Sequence, residues 1–360
     1  MNRLDPFSIT THVFKTVEDH PIKIDVCVPK STLEKRRSSS HATNAKCPII
    51  LRYHAGWLFG GQRDYPNWFA QWVCDLAVKH DAILVSADYR LLPEATCEEA
   101  LDDIMDAYIW LSTGLSDALK SSYKDSPSDL SFLINLPIPP LRPLRNPNQS
   151  PNPEPYTPNS PTSPSAPHTG HNPTPNKSGT PPTPLTLITS LFTSISHSTA
   201  LNNGKRPIVS NIPMVSPTGQ FLERAIIATA AEQHGRTLDF FGPERDTRPG
   251  KRRVFPEDRI VDGRVLPPVV FIHGTEDSIA PVEGMDLFVE LVRKHKAVAG
   301  MKEEEGGRER EEGEVMRYCR VPGEHFVATD MKLDGSEPGW LRDSVEFLEA
   351  NWLGVKSARL

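Results

Sequence analysis

This chain of 360 residues lacks several features that define other protein classes. No apolar run approaches the length of a membrane span, and the first residues contain no apolar signal core, so we expect neither a membrane span nor secretion. A net charge of −6 gives no reason to expect nucleic acid or an anionic membrane as a partner. These absences lead us to expect a cytoplasmic protein.

Cysteine is also scarce, with five residues and no CxxC pair. An odd number of cysteines without histidine-rich neighbours predicts neither a disulfide framework nor a zinc site, and it favours free thiols in a reducing compartment. We therefore expect no metal and no cofactor. The cysteines are Cys27, Cys47, Cys74, Cys97 and Cys319.

Apolar residues make up only 38% of the chain, whereas proline occurs 35 times. Both values indicate a folded domain that is diluted by an unfolded segment. Pro137–Pro184 mixes proline with serine, threonine and asparagine and has almost no apolar periodicity, which predicts disorder. We therefore divide the chain into an N-terminal part of the domain (1–134), an insert (135–195) and a C-terminal part (196–360).

Outside the insert, strand-like and helix-like segments alternate. This alternation predicts parallel strands joined by crossover helices, and hence an α/β fold with a mostly parallel central sheet flanked by helices. The N-terminal part gives a hairpin over 11–29, strands at 48–51, 82–87 and 129–134, and helices at 65–80 and 98–111. The C-terminal part gives strands at 207–215, 267–273 and 315–321, and helices at 218–234, 281–296 and 339–352. Residues 30–46 and 302–314 read as polar loops.

The stretch Cys47–Gly61, CPIILRYHAGWLFGG, stands out in the first half. A buried strand runs into His54 and then into a loop of small residues, among them Ala55 and Gly56. Backbone N–H groups in such a loop can point into a cleft and stabilise an oxyanion. The alternative is a turn in which the glycines only relieve backbone strain.

An acid and a base follow two strands of the second half. Asp277 lies just after the strand at 267–273, and His325 follows the strand at 315–321. Since the carboxyl ends of parallel strands converge on one cleft, we expect the two side chains to meet as the acid–base part of a catalytic triad. The alternatives are a helix N-cap for Asp277 and an ordinary loop histidine for His325.

Four motifs together resemble the hormone-sensitive-lipase-like branch of the α/β-hydrolases (α/β-hydrolase fold-3), especially its fungal members. They are HAGWLFGG, SADYRLLPE, VVFIHGTEDSIAPVEG and VPGEHF, in this order. The resemblance covers roughly Thr11–Pro93, Glu98–Ser131 and Pro207–Leu353. It implies an α/β-hydrolase fold and a serine-hydrolase activity on carboxylic esters, of esterase or lipase type. We expect small apolar esters as substrates and secondary metabolism as the setting.

The resemblance also implies roles for individual residues. The HGGG pattern of the family falls on His54–Trp57, so Ala55 and Gly56 would donate their N–H groups to the oxyanion. Asp277 would be the acid and His325 the base. His54, Trp57 and Phe59 would line the substrate pocket, and Trp57 in place of the last glycine would narrow it. The DYRLxPE box falls on Asp88–Glu94, which we interpret as structural.

One part of the family pattern is absent, because the sequence contains no GxSxG nucleophile elbow. The strand at 129–134, which should lead into it, runs into the proline-rich insert instead. Ser198 in SHSTA is the nearest mimic and the candidate nucleophile, although it lacks both glycines.

Three hypotheses remain open. The chain is an esterase with an atypical nucleophile, or an inactive α/β-hydrolase-fold protein that binds small acyl compounds or other partners. In the third, the change of composition at Asn135 reflects a translated non-coding insert or a mispredicted splice, and the true protein is an active esterase with an ordinary elbow. The sequence does not reveal an oligomeric state.

Overall fold

The structure is a computed structural model that describes residues 2–38, 46–123, 133–135, 186, 190, 205–216, 218–234, 236–240, 254–301 and 311–354. The strands are β1 (Phe7–Val17), β2 (His20–Pro29), β3 (Lys46–Tyr53), β4 (Ile83–Ala87), β5 (Leu133–Asn135), β6 (Val269–Gly274) and β7 (Met316–Val321). The helices are α1 (Lys30–Ser38), α2 (Gln71–Lys79), α3 (Cys97–Thr113), α4 (Leu115–Ser122), α5 (Glu223–Gln233), α6 (Pro256–Val261), α7 (Val282–Lys294), α8 (Glu312–Val315) and α9 (Gly339–Leu353). Two short 3₁₀ helices span Pro66–Trp68 and Thr237–Phe240.

The larger sheet has five strands in the order β1-β2-β4-β3-β5. β1, β2 and β4 are antiparallel neighbours, whereas β3 runs parallel to both β4 and β5. β6 and β7 form a second, parallel pair. The predicted α/β architecture is therefore confirmed, with the described strands divided between two sheets.

The centre of the larger sheet is buried on both faces. Successive side chains of a strand point in opposite directions, so each central strand contributes to a core on either side. On β4, Ile83 and Val85 pack into one apolar core with α3 and α4, while Leu84 packs into another with α2. Both cores flank the same strands. β3 is held between them, and its carboxyl end opens into the loop that begins at His54.

Helix α3 shows how local sequence sets the boundary of an element. Thr96 caps its first turn by accepting a hydrogen bond from the Glu99 amide, and the Glu99 carboxylate accepts one from the Thr96 amide. This capping box satisfies N–H groups that would otherwise lack partners. Helix α7 packs Val289 and Val292 against β6 and β7, as its apolar spacing predicts.

Three local predictions were wrong. Lys30–Ser38 forms a helix rather than a loop. The predicted helix at 65–80 begins only at Gln71, after the 3₁₀ turn Pro66–Trp68. Residues 207–215 form no ladder and make only isolated bridges to Gly61 and Phe221; the two prolines in this stretch have no N–H to donate to one.

The third predicted strand of the N-terminal part is present as β5, whose backbone pairs with the first residues of β3. Of the predicted insert, 135–195, only Asn135, Thr186 and Ser190 lie among the described residues, so its disorder and the domain boundaries stay predictions. Within the ranges the structure describes, no helix is long and apolar enough to cross a bilayer.

Candidate active site

Asp277 and His325 meet at the carboxyl ends of β6 and β7. The two strands run parallel with Gly274 opposite Val321, which brings their exit loops side by side. His325 Nδ1 lies 2.8 Å from Asp277 Oδ2. This is the contact that the order of strands and motifs predicts, across 48 residues of chain.

Asp277 is buried and saturated with hydrogen bonds. Its Oδ1 accepts from the amides of Ile279 and Ala280, at 2.9 and 2.8 Å, and its Oδ2 faces His325. Burial by itself would raise the pKa of Asp277, but the bonds from the Ala280 amide, His325 and the Ile279 amide outweigh it and lower the pKa. The carboxylate therefore stays ionised. It does not cap helix α7, which starts at Val282 after Pro281.

Sequence reasoning missed a second histidine beside this carboxylate. His273, the penultimate residue of β6, has its Nε2 2.7 Å from the Ala280 carbonyl oxygen and 3.4 Å from Asp277 Oδ2. The Nε2–H therefore ties the two ends of the Asp277 loop together. Its position directly before Gly274 at the end of a predicted strand was the available signal.

The loop after β3 has the backbone geometry of an anion-binding turn. Gly56 has φ of +126°, and a Cβ there would overlap the carbonyl oxygen of Gly60. The Gly56 carbonyl accepts from the amides of Phe59 and Gly60, at 2.9 and 3.2 Å, which closes the turn. Among the described residues, the amides of Ala55 and Gly56 donate to no acceptor. They are free to donate to a ligand.

The buried side chain of His54 holds this loop in place. It is buried, its ring stacks on Tyr89 with centroids 4.3 Å apart, and its Nδ1 lies 2.9 Å from the Ala55 carbonyl oxygen. The Tyr89 hydroxyl donates to the His54 carbonyl oxygen. Burial lowers the pKa of His54 to about 4, although the Ala55 bond opposes the shift. The imidazole is thus neutral near pH 7, and its Nε2 has no hydrogen-bond partner within the described structure.

Two of the three predicted pocket residues are buried. Phe59 is completely buried, and its ring meets the edge of Phe240 at 4.6 Å in a core that includes Met214. Trp57 is partly exposed, and its ring lies parallel to that of His325 with centroids 6.4 Å apart. Trp57 therefore joins the loop after β3 to the His325 loop, whereas His54 and Phe59 hold the loop in place.

The Asp88–Glu94 segment braces the same region through ion pairs. Asp88 accepts from the Arg63 side chain and from Asn211, at 2.8 to 3.2 Å. Glu94 pairs with Arg224 of helix α5. These contacts agree with the structural interpretation of this motif.

Ser198, the candidate nucleophile, lies outside the described residues. Within the described ranges, no side chain or backbone group hydrogen-bonds to His325 Nε2. Those ranges also hold no group of three or more His, Cys, Asp or Glu side chains that could bind a metal ion.

Comparison with known proteins agrees with the motifs. A family model described as the alpha/beta hydrolase fold matches residues 50–126, which include the loop after β3 and the Asp88–Glu94 segment. The chain is 33% identical over 121 residues to the "Probable carboxylesterase M8" of Phoma sp.. The aligned residues make up 34% of this chain and 36% of that protein. It is 29% identical over 120 residues to "Carboxylesterase 20" of Arabidopsis thaliana, covering 32% and 35% of the two chains.

The chain thus matches only about a third of the length of these relatives. Among solved structures, "ESTERASE B" from Lactobacillus Rhamnosis (HN001) aligns over 96% of this chain and 85% of its own, with 13% identity and a TM-score of 0.45. The family match over residues 50–126, together with the parallel strands β3, β4 and β5 and the loop after β3, confirms the predicted resemblance to the α/β-hydrolase fold over this part of the chain.

Proposed function

We propose that this protein hydrolyses carboxylic esters with small apolar parts through serine-hydrolase chemistry. One observation carries the proposal. The Asp277–His325 pair, with its 2.8 Å contact, lies beside a loop whose Ala55 and Gly56 amides are free to bind an oxyanion. Trp57 of that loop lies against the His325 ring. The family match over residues 50–126, which include this loop, and the similarity to a probable carboxylesterase over 121 residues support the proposal.

The proposed reaction has two half-reactions, acylation and deacylation of a serine, and the same groups act in both. His325 Nε2 takes the proton of a serine hydroxyl as its oxygen attacks the ester carbonyl carbon, and the oxyanion accepts hydrogen bonds from Ala55 and Gly56. His325 then gives this proton to the leaving alcohol. The same nitrogen then takes a proton from water, whose oxygen attacks the acyl carbon; the bond to the serine oxygen breaks, and His325 returns the proton to that oxygen as the carboxylic acid leaves. Asp277 holds the imidazole in the Nδ1–H tautomer and stabilises its protonated form.

Ser198 is the proposed nucleophile on sequence grounds alone. A second candidate function, the binding of small acyl compounds without cleavage, is favoured by the absence of GxSxG from the chain. An inactive relative of this kind would keep the fold and the cleft while turnover falls by orders of magnitude. Sequencing the transcript across codons 130–205 separates it from a gene that encodes an ordinary elbow.

A fluorophosphonate probe followed by peptide mass mapping tests the proposal. We expect an adduct on one serine of the wild-type protein, its loss in His325→Ala, and its retention in His295→Ala, a matched variant at the end of helix α7. An adduct on Ser198 would identify the nucleophile. A folded wild-type protein that forms no adduct would contradict hydrolysis by this chain and favour the binding function.

A further inference from the structure

Five rings form a continuous strip along the Asp277–His325 pair, which we call the aromatic strip. His325 lies parallel to Trp57 and makes an edge contact with Phe326 at 4.2 Å between centroids. The rings of Phe326 and Trp68 are stacked with centroids 6.3 Å apart, and the rings of Trp68 and Tyr65 make an edge contact with centroids 5.4 Å apart. The strip thus brings together the loop after β3, the 3₁₀ turn and the loop after β7.

The strip borders the position of the alcohol part of a bound ester. His325 Nδ1 is hydrogen-bonded to Asp277, so Nε2 is the ring nitrogen that can protonate the leaving alcohol. Trp57 and Phe326 both flank this imidazole. Trp57 also follows Gly56 directly, so the rings lie close to both ester oxygens when the carbonyl oxygen is bound by the Ala55 and Gly56 amides.

Two residues of the strip have an unfavourable backbone conformation, and the ring of one of them is exposed. Phe326 is half-exposed, at 50%, and has φ of +64°, while Trp57 has φ of +53°. Bulky residues rarely adopt this left-handed conformation, and such residues cluster at ligand sites. A flat apolar ligand would cover the Phe326 ring, which its own neighbours leave half open.

Ring geometry also distinguishes between apolar ligands. Aromatic pairs gain from offset or edge contacts beyond what the buried area provides, whereas a saturated ring of the same size gains only from burial. Two guanidinium groups lie near Trp68 and both are already engaged. Arg52 donates to Ser86 Oγ and to the Trp68 carbonyl oxygen. Arg3 donates to the carbonyl oxygens of Asn67 and Phe69 and pairs with Asp330. The strip therefore suits an uncharged aromatic ring better than an aromatic acid.

From this arrangement we infer that the strip binds an aromatic ring in the alcohol part of the ester, so that arylmethyl (benzylic) esters are the favoured substrate class. This inference names the substrate class of the proposed esterase. Ring binding itself depends on the strip alone, and it is therefore measurable without turnover.

The test uses two matched pairs of small molecules that differ only in the ring. N-benzylacetamide and N-(cyclohexylmethyl)acetamide resist esterases, and their dissociation constants are measured by NMR titration of the full chain. We expect the benzyl compound to bind about two- to tenfold more tightly. Phe326→Leu should bring the ratio close to one, while Phe221→Leu, at an exposed phenylalanine outside the strip, should leave it unchanged.

The second pair, benzyl acetate and cyclohexylmethyl acetate, tests turnover with leaving alcohols of the same type. Equal dissociation constants for the two amides, or a ratio that survives Phe326→Leu, would overturn the inference. If the amides show the aromatic preference and neither acetate is cleaved, the hydrolase proposal fails while ring binding by the strip holds. If both acetates are cleaved with equal kcat/KM, hydrolysis holds and the inference fails.

Discussion

At the scale of single residues, His54 shows how burial determines a side chain's charge. Its ring is enclosed between Tyr89 and the loop after β3, where a proton would be poorly solvated. The neutral imidazole keeps its Nδ1–H for the Ala55 carbonyl oxygen and thereby orients the loop that carries the unbonded amides of Ala55 and Gly56. Protonation of His54 would place a charge in a buried position beside Tyr89.

This burial predicts a loss of stability in acid. The pKa of His54 is lowered from 6.5 to about 4 in the folded chain, so the unfolded chain takes up the proton first as the pH falls. The stabilisation is complete above pH 6.5 and is lost as the pH falls through that value toward 4. We expect this group to account for a decrease of about 3 kcal/mol in the free energy of unfolding.

Urea unfolding of wild type and His54→Gln between pH 7 and pH 4 measures this effect. The wild-type stability should fall more steeply than that of the variant, because glutamine does not titrate. His295→Gln serves as the control and should follow the wild-type curve. Identical pH dependence in wild type and His54→Gln would show that burial does not control this histidine.

At the scale of elements, two glycines illustrate opposite uses of the missing Cβ. Gly56 lies in the turn after β3 with positive φ, and a Cβ there would collide with the Gly60 carbonyl oxygen. Gly284 lies in the first turns of helix α7, where a Cβ would meet nothing within 4 Å. The turn requires glycine, whereas the helix only tolerates it.

Alanine substitutions should therefore change stability in opposite directions. We expect Gly56→Ala to destabilise the fold by about 2 kcal/mol or more, since both φ and the neighbouring carbonyl oppose the methyl group. Gly284→Ala should stabilise it by about 0.5–1 kcal/mol through helix propensity. Thermal unfolding of both variants checks the pair, and a tolerated Gly56→Ala would refute the close-packed turn.

At the scale of the whole molecule, Arg63 connects three parts of the chain. Its guanidinium contacts Asp25 of β2 at 2.9 Å and Asp88, just after β4, at 2.8 Å. Its carbonyl oxygen accepts from Ser86 Oγ. All three charged side chains are largely buried, so the loop after β3 is anchored to the sheet through ionic contacts.

Removing this guanidinium would leave two buried carboxylates without their cation. We expect Arg63→Met to lower the free energy of unfolding by about 3–5 kcal/mol. Lys35→Met provides the comparison, because its pair with Asp81 is largely exposed and should contribute at most about 1 kcal/mol. Urea denaturation of both variants measures the difference, and equal losses would argue against a buried network.

Much of the fold could be predicted from local pattern. The alternation in β2, the apolar run of β4 and the spacing in α7 each placed their element within a few residues. Residues 30–38 were misjudged because they are mostly charged or polar and show no helical apolar spacing, with Thr32 and Leu33 as the buried residues of the helix. The segment 207–215 was misjudged because a strand needs a neighbour with free backbone groups, which local sequence does not reveal.

Amino-acid order alone determined that Asp277 and His325 follow neighbouring parallel strands and therefore meet, because the ends of such strands share one edge. It likewise determined the glycine-dependent turn after β3. Only the tertiary structure decided that His273 also contacts Asp277 and that Phe59 turns into the core while Trp57 lies against His325. The His273 contact depends on how the short loop after β6 folds back on the strand. The other two depend on side chains distant in the chain, whose packing follows from the assembled fold rather than from local periodicity.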